Sequence, residues 1–291
     1  VRSLDLGSSL VTVRSMNKDI TKISSRFTNV GGTMKVYGSG TSKFLFTGEI
    51  IEIDNLCTMD AADSLHFDNV EFVKHGKLVA QHDTFNNALF RANGTLYVDT
   101  CIFNTVEIYH LGLDYSNLTT YNRLLFSTHP DWCSCCDSRN IDYGLLQGNN
   151  NHVTKLVDFN RNGTIDGNNN YADSCRFYAN GNILTGANEF EKVFMQRHWP
   201  VGCGCSAYWA KNILTLEKNK TQTVHGSIIL FGPFYCEHTL ITTTDPAVKA
   251  TIYTTATTPL FLDYVELLGI NGQNNLSVPD IAKRSINSGN N

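Results

Sequence analysis

The sequence predicts an all-β chain folded as a parallel β-solenoid, and three observations carry that prediction. Phe67, Phe85 and Phe103 stand 18 residues apart and open three similar hexapeptides, Phe67–Phe72, Phe85–Phe90 and Phe103–Ile108. Each reads apolar, two polar, small apolar, any, apolar. Echoes lie outside this block: Phe27-Thr28-Asn29-Val30 and Phe46-Thr47-Gly48 upstream, Phe159-Asn160-Arg161-Asn162 and Phe177-Tyr178-Ala179-Asn180 downstream. A longer echo relates Phe90–Leu96 to Phe177–Ile183. Third, Asn, Thr and Gly are abundant, Pro is limited to 6, and long helix-forming runs are missing.

Helical repeat arrays run above about 30 residues, whereas a coil of a solenoid is shorter. Stacked coils convert repeat positions into ladders. Phe67, Phe85 and Phe103 should form one aromatic ladder, and the adjacent Asn positions an amide ladder at a turn. A β-sandwich in which Phe-x-Asn recurs by chance is the competing architecture.

The strands follow in order. Residues 1–48 alternate apolar and polar in Leu10–Val13, Ile20–Ile23, Met34–Tyr37 and Phe44–Phe46, punctuated by Gly31-Gly32 and Gly38-Ser39-Gly40. Regular coils then run to about Ile108. In Leu96–Phe103 alternate side chains share a face, which puts Cys101 in the core with Phe103. Asp173-Ser174-Cys175-Arg176-Phe177 repeats that Asp-x-Cys-x-Phe pattern and makes Cys175 a core cysteine too. Regularity breaks near 109–155 and again at 197–206. These breaks read as loop insertions in a solenoid spanning 1–205. Residues 206–270 read as β-rich coils or a small β-domain, and 271–291 as a polar tail.

The chain has 291 residues, net charge -4 and only 17% charged residues. No basic run argues for nucleic acid. No stretch approaches the 18 apolar residues or so of a membrane-spanning helix, so no membrane insertion is expected. The opening Val1-Arg2-Ser3 has no signal-peptide pattern, consistent with a processed product or a piece of something larger. Polar β-rich composition points to a secreted, cell-surface or virion-surface location.

The two breaks concentrate the candidate chemistry. His129-Pro130-Asp131-Trp132-Cys133-Ser134-Cys135-Cys136 and His198-Trp199-Pro200-Val201-Gly202-Cys203-Gly204-Cys205 resemble each other. Cys133, Cys135, Cys203 and Cys205 could pin the loops by disulfides, the preferred reading, or hold zinc with the histidines, or stay reduced. Nine cysteines leave at least one unpaired within the chain. Exposed aromatics in and beside these loops, Trp132, Trp199, Tyr143 and Tyr208 above all, are the candidate binding residues, with Tyr115, Tyr121 and Trp209 nearby. Asp158, Asn160, Asn162 and Asp166 match the oxygen positions of a calcium loop, but the twelfth position is Asn169 and a polar solenoid turn is the simpler account. Sequons stand at Asn93, Asn117, Asn162, Asn219 and Asn275, a number that the abundance of Asn, Ser and Thr produces by chance.

The coil pattern over residues 20–196 resembles the pectate-lyase-like right-handed β-helix superfamily, which includes pectate lyases, polygalacturonases and phage tailspikes. Val98-Asp99-Thr100-Cys101 is similar to the lyase Ile-Asp-His-Cys motif, with Thr100 in place of the His. The lyase Arg-x-Pro-x-x-Arg motif and the polygalacturonase Asn-Thr-Asp, Asp-Asp and Gly-His-Gly signatures are missing. The resemblance therefore implies a right-handed β-helix and, as an alternative activity, a polysaccharide lyase or glycoside hydrolase whose carboxylates cannot be named from spacing. Without a catalytic signature, the expected role is non-enzymatic: structural, adhesive, or binding a glycan or protein receptor, within a virion, fibre or cell-surface assembly of neighbouring copies. A carbohydrate-binding β-sandwich is the third reading, because Phe261–Glu266 resembles the last strand of such modules.

Overall fold

Residues 66–72, 76–127, 143–160, 162–177, 182–195, 213–231, 239–255 and 265–274 are described by the structure, a computed structural model, together with short strands between 3 and 61 and between 261 and 288. All pairing is parallel, and as far as Ala250–Thr254 the strands alternate along the chain between two sheets. The first sheet stacks His66–Phe72, Thr84–Phe90, Ile102–Tyr109, Thr120–Ser127, His152–Phe159, Tyr171–Phe177, Asn188–Met195 and Thr221–Phe231. The second stacks Gly76–Gln81, Gly94–Asp99, Leu111–Asn117, Tyr143–Gln147, Asn162–Asp166, Asn182–Leu184, Ile213–Leu216 and Thr239–Thr243. One strand from each sheet makes a coil, and the chain is a parallel β-solenoid. Its core lies between the two sheets.

The predicted aromatic ladder is present. Phe67 stacks on Phe85 at 5.0 Å and Phe85 on Phe103 at 4.7 Å, all three buried. Tyr121 extends it, 5.3 Å from Phe103. A second ladder runs at the other end of the same strands: Phe72 on Phe90 at 4.6 Å, then Phe126, Phe159 and Phe177. Phe159 and Phe177 belong to this second ladder. Cys101 and Cys175 are both buried free thiols. Burial pushes the Cys101 thiol up to about 12 and raises Cys175 well above the ordinary thiol value.

Three expectations need correction. Residues 109–127 and 143–155 are strands and corners of the coils, with a bulge where Tyr121–Arg123 pairs with the following rung, so the loop excursion expected over 109–155 has only 128–142 left to it, outside the described residues. The tail from Asn271 contains strands at Ile270–Asn274, Ile281–Lys283 and Ile286–Ser288. The echo of Phe90–Leu96 in Phe177–Ile183 slips by one residue. The inward column runs Leu96, Asp114, Leu146, Ile165, Leu184, and Ile183 points outward, 38% exposed. A slip of one residue exchanges the two faces of a strand.

Of the amides expected beside the ladder phenylalanines, Asn104 Oδ1 accepts from Asn122 Nδ2 at 2.7 Å, but in mid-strand; the amide ladder at a turn is built from other residues. Asn86 and Asn104 are exposed in mid-strand. The ladder at the corner between the sheets comes from the paired runs Gly148-Asn149-Asn150-Asn151 and Gly167-Asn168-Asn169-Asn170, 19 residues apart. Each coil turns there through a residue with positive φ, Leu118 at 51° and Asn150 and Asn169 at 58°. Asparagine tolerates that conformation better than most side chains because it bonds locally to the backbone. The buried amides then join rung to rung: Thr119 N donates to Asn151 Oδ1 (3.1 Å), Asn151 N to Asn170 Oδ1 (3.0 Å) and Asn170 N to Asn188 Oδ1 (3.2 Å).

Gly148, Gly167 and Gly186 form a column beside this corner, each backed against the carbonyl of the rung before it. A methyl on Gly167, whose φ is +148°, would drive into the carbonyl oxygen of Gly148. Gly167→Ala is expected to cost about 3 kcal/mol in urea unfolding, from backbone strain plus the clash. A loss below half a kcal/mol would show that the corner rearranges freely.

Candidate functional site

Stacking brings together side chains that are far apart in sequence. Glu71, Leu89 and Glu107 occupy one outward column of the first sheet on successive rungs, with Asn87 and Thr105 in the next column. The three side chains of the first column differ in length, and the shorter Leu89 leaves a groove of about 380 Å³ between the two carboxylates, lined also by Asn87, Arg91 and Thr105. This is within the size range of small-ligand sites. Arg91 Nε donates to Glu71 Oε1 at 2.9 Å, which raises the guanidinium pKa and fixes the Glu71 side chain, itself 12% exposed. Ser127 Oγ donates to Glu107 Oε1 at 3.0 Å. Burial first, then the nearby Glu107, raises the Tyr109 hydroxyl. The groove therefore presents a fixed cation, two oriented carboxylates, an amide, a hydroxyl and an apolar floor.

A second cluster lies where the first sheet forks. Thr221–Val224 pairs with Thr251–Thr254, while Ile229–Phe231 pairs with Phe261–Asp263. Between them His225 and Gly226 form a bulge against Phe190–Lys192. Only a glycine fits at 226, because a methyl there would press on the Glu191 carbonyl. The bulge aims His225 sideways, with Nε2 3.0 Å from Glu189 Oε2 and Nδ1 2.9 Å from Thr255 Oγ1. A carboxylate can only accept, so in the neutral ring Nε2 carries the proton and Nδ1 accepts from Thr255. Beside it Tyr171 Oη donates to Glu191 Oε1 at 3.2 Å, and burial with neighbouring Asp173 and Glu191 raises the phenol. These bonds brace the fork.

The residues singled out from sequence fare differently. Trp132, Cys133, Cys135, Trp199, Cys203, Cys205 and Tyr208 lie outside the described residues, as does Asn275. Tyr121 is not a loop residue; it is fully buried in the aromatic ladder. Tyr143 is half-buried in Tyr143–Gln147 on the rung beside Leu111. Tyr115 stacks on Tyr97 at 4.9 Å, and Lys77 sits 4.4 Å over the Tyr97 ring. Tyr97 is thus covered on both faces, by Tyr115 and Lys77, while Tyr115 has Gln147 on its other rung. The calcium loop is not formed. Asp158 lies in one strand, Asn160 at the corner, and Asn162 and Asp166 at opposite ends of the next. Four residues of extended chain separate the last two by about 13 Å. Asp166 is engaged by Gln147 and Thr185. Among the described residues, no three His, Cys, Asp or Glu side chains gather as a metal site. Of the sequons, Asn117 and Asn219 are exposed, while Asn93 and Asn162 are half-buried.

Sequence reasoning did not pick out Glu71 and Glu107, yet a signal was there. Both follow a small apolar residue four positions after a ladder phenylalanine, Phe67 and Phe103, and so share a column. No protein-family model, curated protein or solved structure matches the chain. The class it can be placed in is the parallel β-solenoid, on its own geometry.

Proposed function

We propose that this chain is a non-enzymatic surface or extracellular β-solenoid that binds a glycan or protein receptor through the outer face of its first sheet. The Glu71–Leu89–Glu107 groove carries this reading. Its polar groups are held in place before any ligand arrives, by Arg91 for Glu71 and Ser127 for Glu107. Preorganised donors and acceptors over an apolar strip suit a sugar ring or a peptide, because little entropy is lost on docking. A stiff rod with such a face serves adhesion within a fibre, virion or cell-surface assembly, with neighbouring copies of the chain as further partners.

A second reading is favoured by one observation: Glu71 and Glu107 stand two rungs apart, a backbone distance of about 9.6 Å. Inverting glycoside hydrolases hold their acid and base about 6.5–9.5 Å apart. An oligosaccharide panel separates the two. Binding without new reducing ends, weakened about tenfold or more in Arg91→Ala and Glu107→Gln, is the expected result. New reducing ends that Glu107→Gln abolishes would replace it by the hydrolase reading. Unchanged binding in both folded variants would exclude the groove.

A further inference from the structure

One rung of the solenoid differs from its neighbours inside the core. Asp114, Ser116 and Tyr121 all point inward from the coil Leu111–Ser127, and all three are fully buried. On the adjacent rungs the position of Asp114 is held by Leu96 and Leu146, and that of Ser116 by Val98. Tyr121 takes the place that Phe103 fills one rung earlier. Three polar substitutions thus fall together in a single coil of an otherwise apolar column. Both oxygens of Asp114, the Ser116 hydroxyl and the Tyr121 hydroxyl make no hydrogen bond of ordinary geometry. No cation faces them among the described residues. The titratable groups near Asp114 are Tyr121 and, beyond it, Cys101 with its neighbour Asp83.

We propose that this rung is an acid-locked joint: with Asp114 protonated it packs as an ordinary coil, and ionisation of Asp114 loosens it. A neutral carboxyl can donate to Ser116 or Tyr121 and be tolerated among Leu96 and Leu146. A carboxylate there, fully buried, faces no counter-charge among the described residues. Burial dominates and pushes the Asp114 carboxyl up to about 7; the Tyr121 and Ser116 hydroxyls pull the other way without overcoming it. The sign follows. The unfolded carboxyl titrates near 3.9, so the folded state holds a proton that the unfolded state has released. The contribution is whole below about pH 4 and is lost as pH rises through about 7.

Amide hydrogen exchange across pH 5 to 8, corrected for intrinsic rates, tests the joint. The opening equilibrium of Leu111–Asn117 and Tyr143–Gln147 should rise roughly 100-fold over that range in the parent. Asp114→Asn and Asp114→Leu should flatten the profile, the latter completing a leucine column. Tyr121→Phe should move the midpoint to higher pH, because the hydroxyl favours the ionised form. A parent with equal opening at both pH values, or a parental profile retained in Asp114→Leu, overturns the proposal.

Discussion

A charge at position 85 is expected to abolish cooperative folding. Phe85 is 0% exposed and has a ring stacked on each face, Phe67 at 5.0 Å and Phe103 at 4.7 Å. Removing a buried aromatic costs about 3–5 kcal/mol before any polar group is considered. An aspartate in its place adds an unpaired buried charge, and its ladder neighbours are Phe67 and Phe103, which offer no partner. The total reaches the whole net stability of an ordinary domain, about 5–15 kcal/mol. Phe85→Asp should show no sigmoidal unfolding by circular dichroism, while Phe85→Leu should melt cooperatively at a lower temperature. A Phe85→Asp protein melting within two degrees of the parent would place Phe85 outside the core.

Asn170→Leu should be nearly as damaging, although it makes the interior more apolar. The Asn170 side chain accepts from Asn151 N at 3.0 Å and donates to the Gly148 carbonyl at 2.9 Å and to Asn188 Oδ1 at 3.1 Å. Leucine removes the partners of the Asn151 amide hydrogen and the Gly148 carbonyl in a buried corner, while Asn188 Oδ1 keeps only the donor from the backbone N of residue 170. Each orphaned group costs about 1–3 kcal/mol, so a loss of about 4 kcal/mol in urea unfolding is expected. Exposed Asn169, one residue away, should tolerate Asn169→Gly with little change, because its positive φ is what the corner needs. Equal effects from the two substitutions would mean that the amide column does not hold the corner.

The solenoid was legible because identical registers repeat identical chemistry. Phe67, Phe85 and Phe103 keep both spacing and residue type, so they announce their ladder. Tyr121 continues the same column, but its hydroxyl and its place beside Leu118-Thr119-Thr120 made it look like a loop aromatic. The Gly-Asn-Asn-Asn runs at 148–151 and 167–170 carried the corner, and polar residues at a repeat position are easily read as solvent-facing. Asp114 was illegible for the opposite reason: a carboxylate in a column of leucines contradicts the pattern that reveals the column. The groove needed three dimensions, because Glu71 and Glu107 meet only after two coils are stacked.

The short coils of the regular rungs govern how this chain comes together during synthesis. The regular rungs pair residues only 18 or 19 apart, as Phe67 with Phe85 and Gly144 with Gly163 do, while others are wider, as Thr120 with His152 and Asn188 with Gln222. Closing a loop of that size costs the same wherever it occurs, since the entropy depends on the length of the loop and not of the chain. A nascent chain that has emerged as far as Ile108 already contains three complete Phe rungs and can begin to wind. Each later coil then docks on a finished template, so the exposed edge advances with the ribosome instead of waiting for the C-terminus.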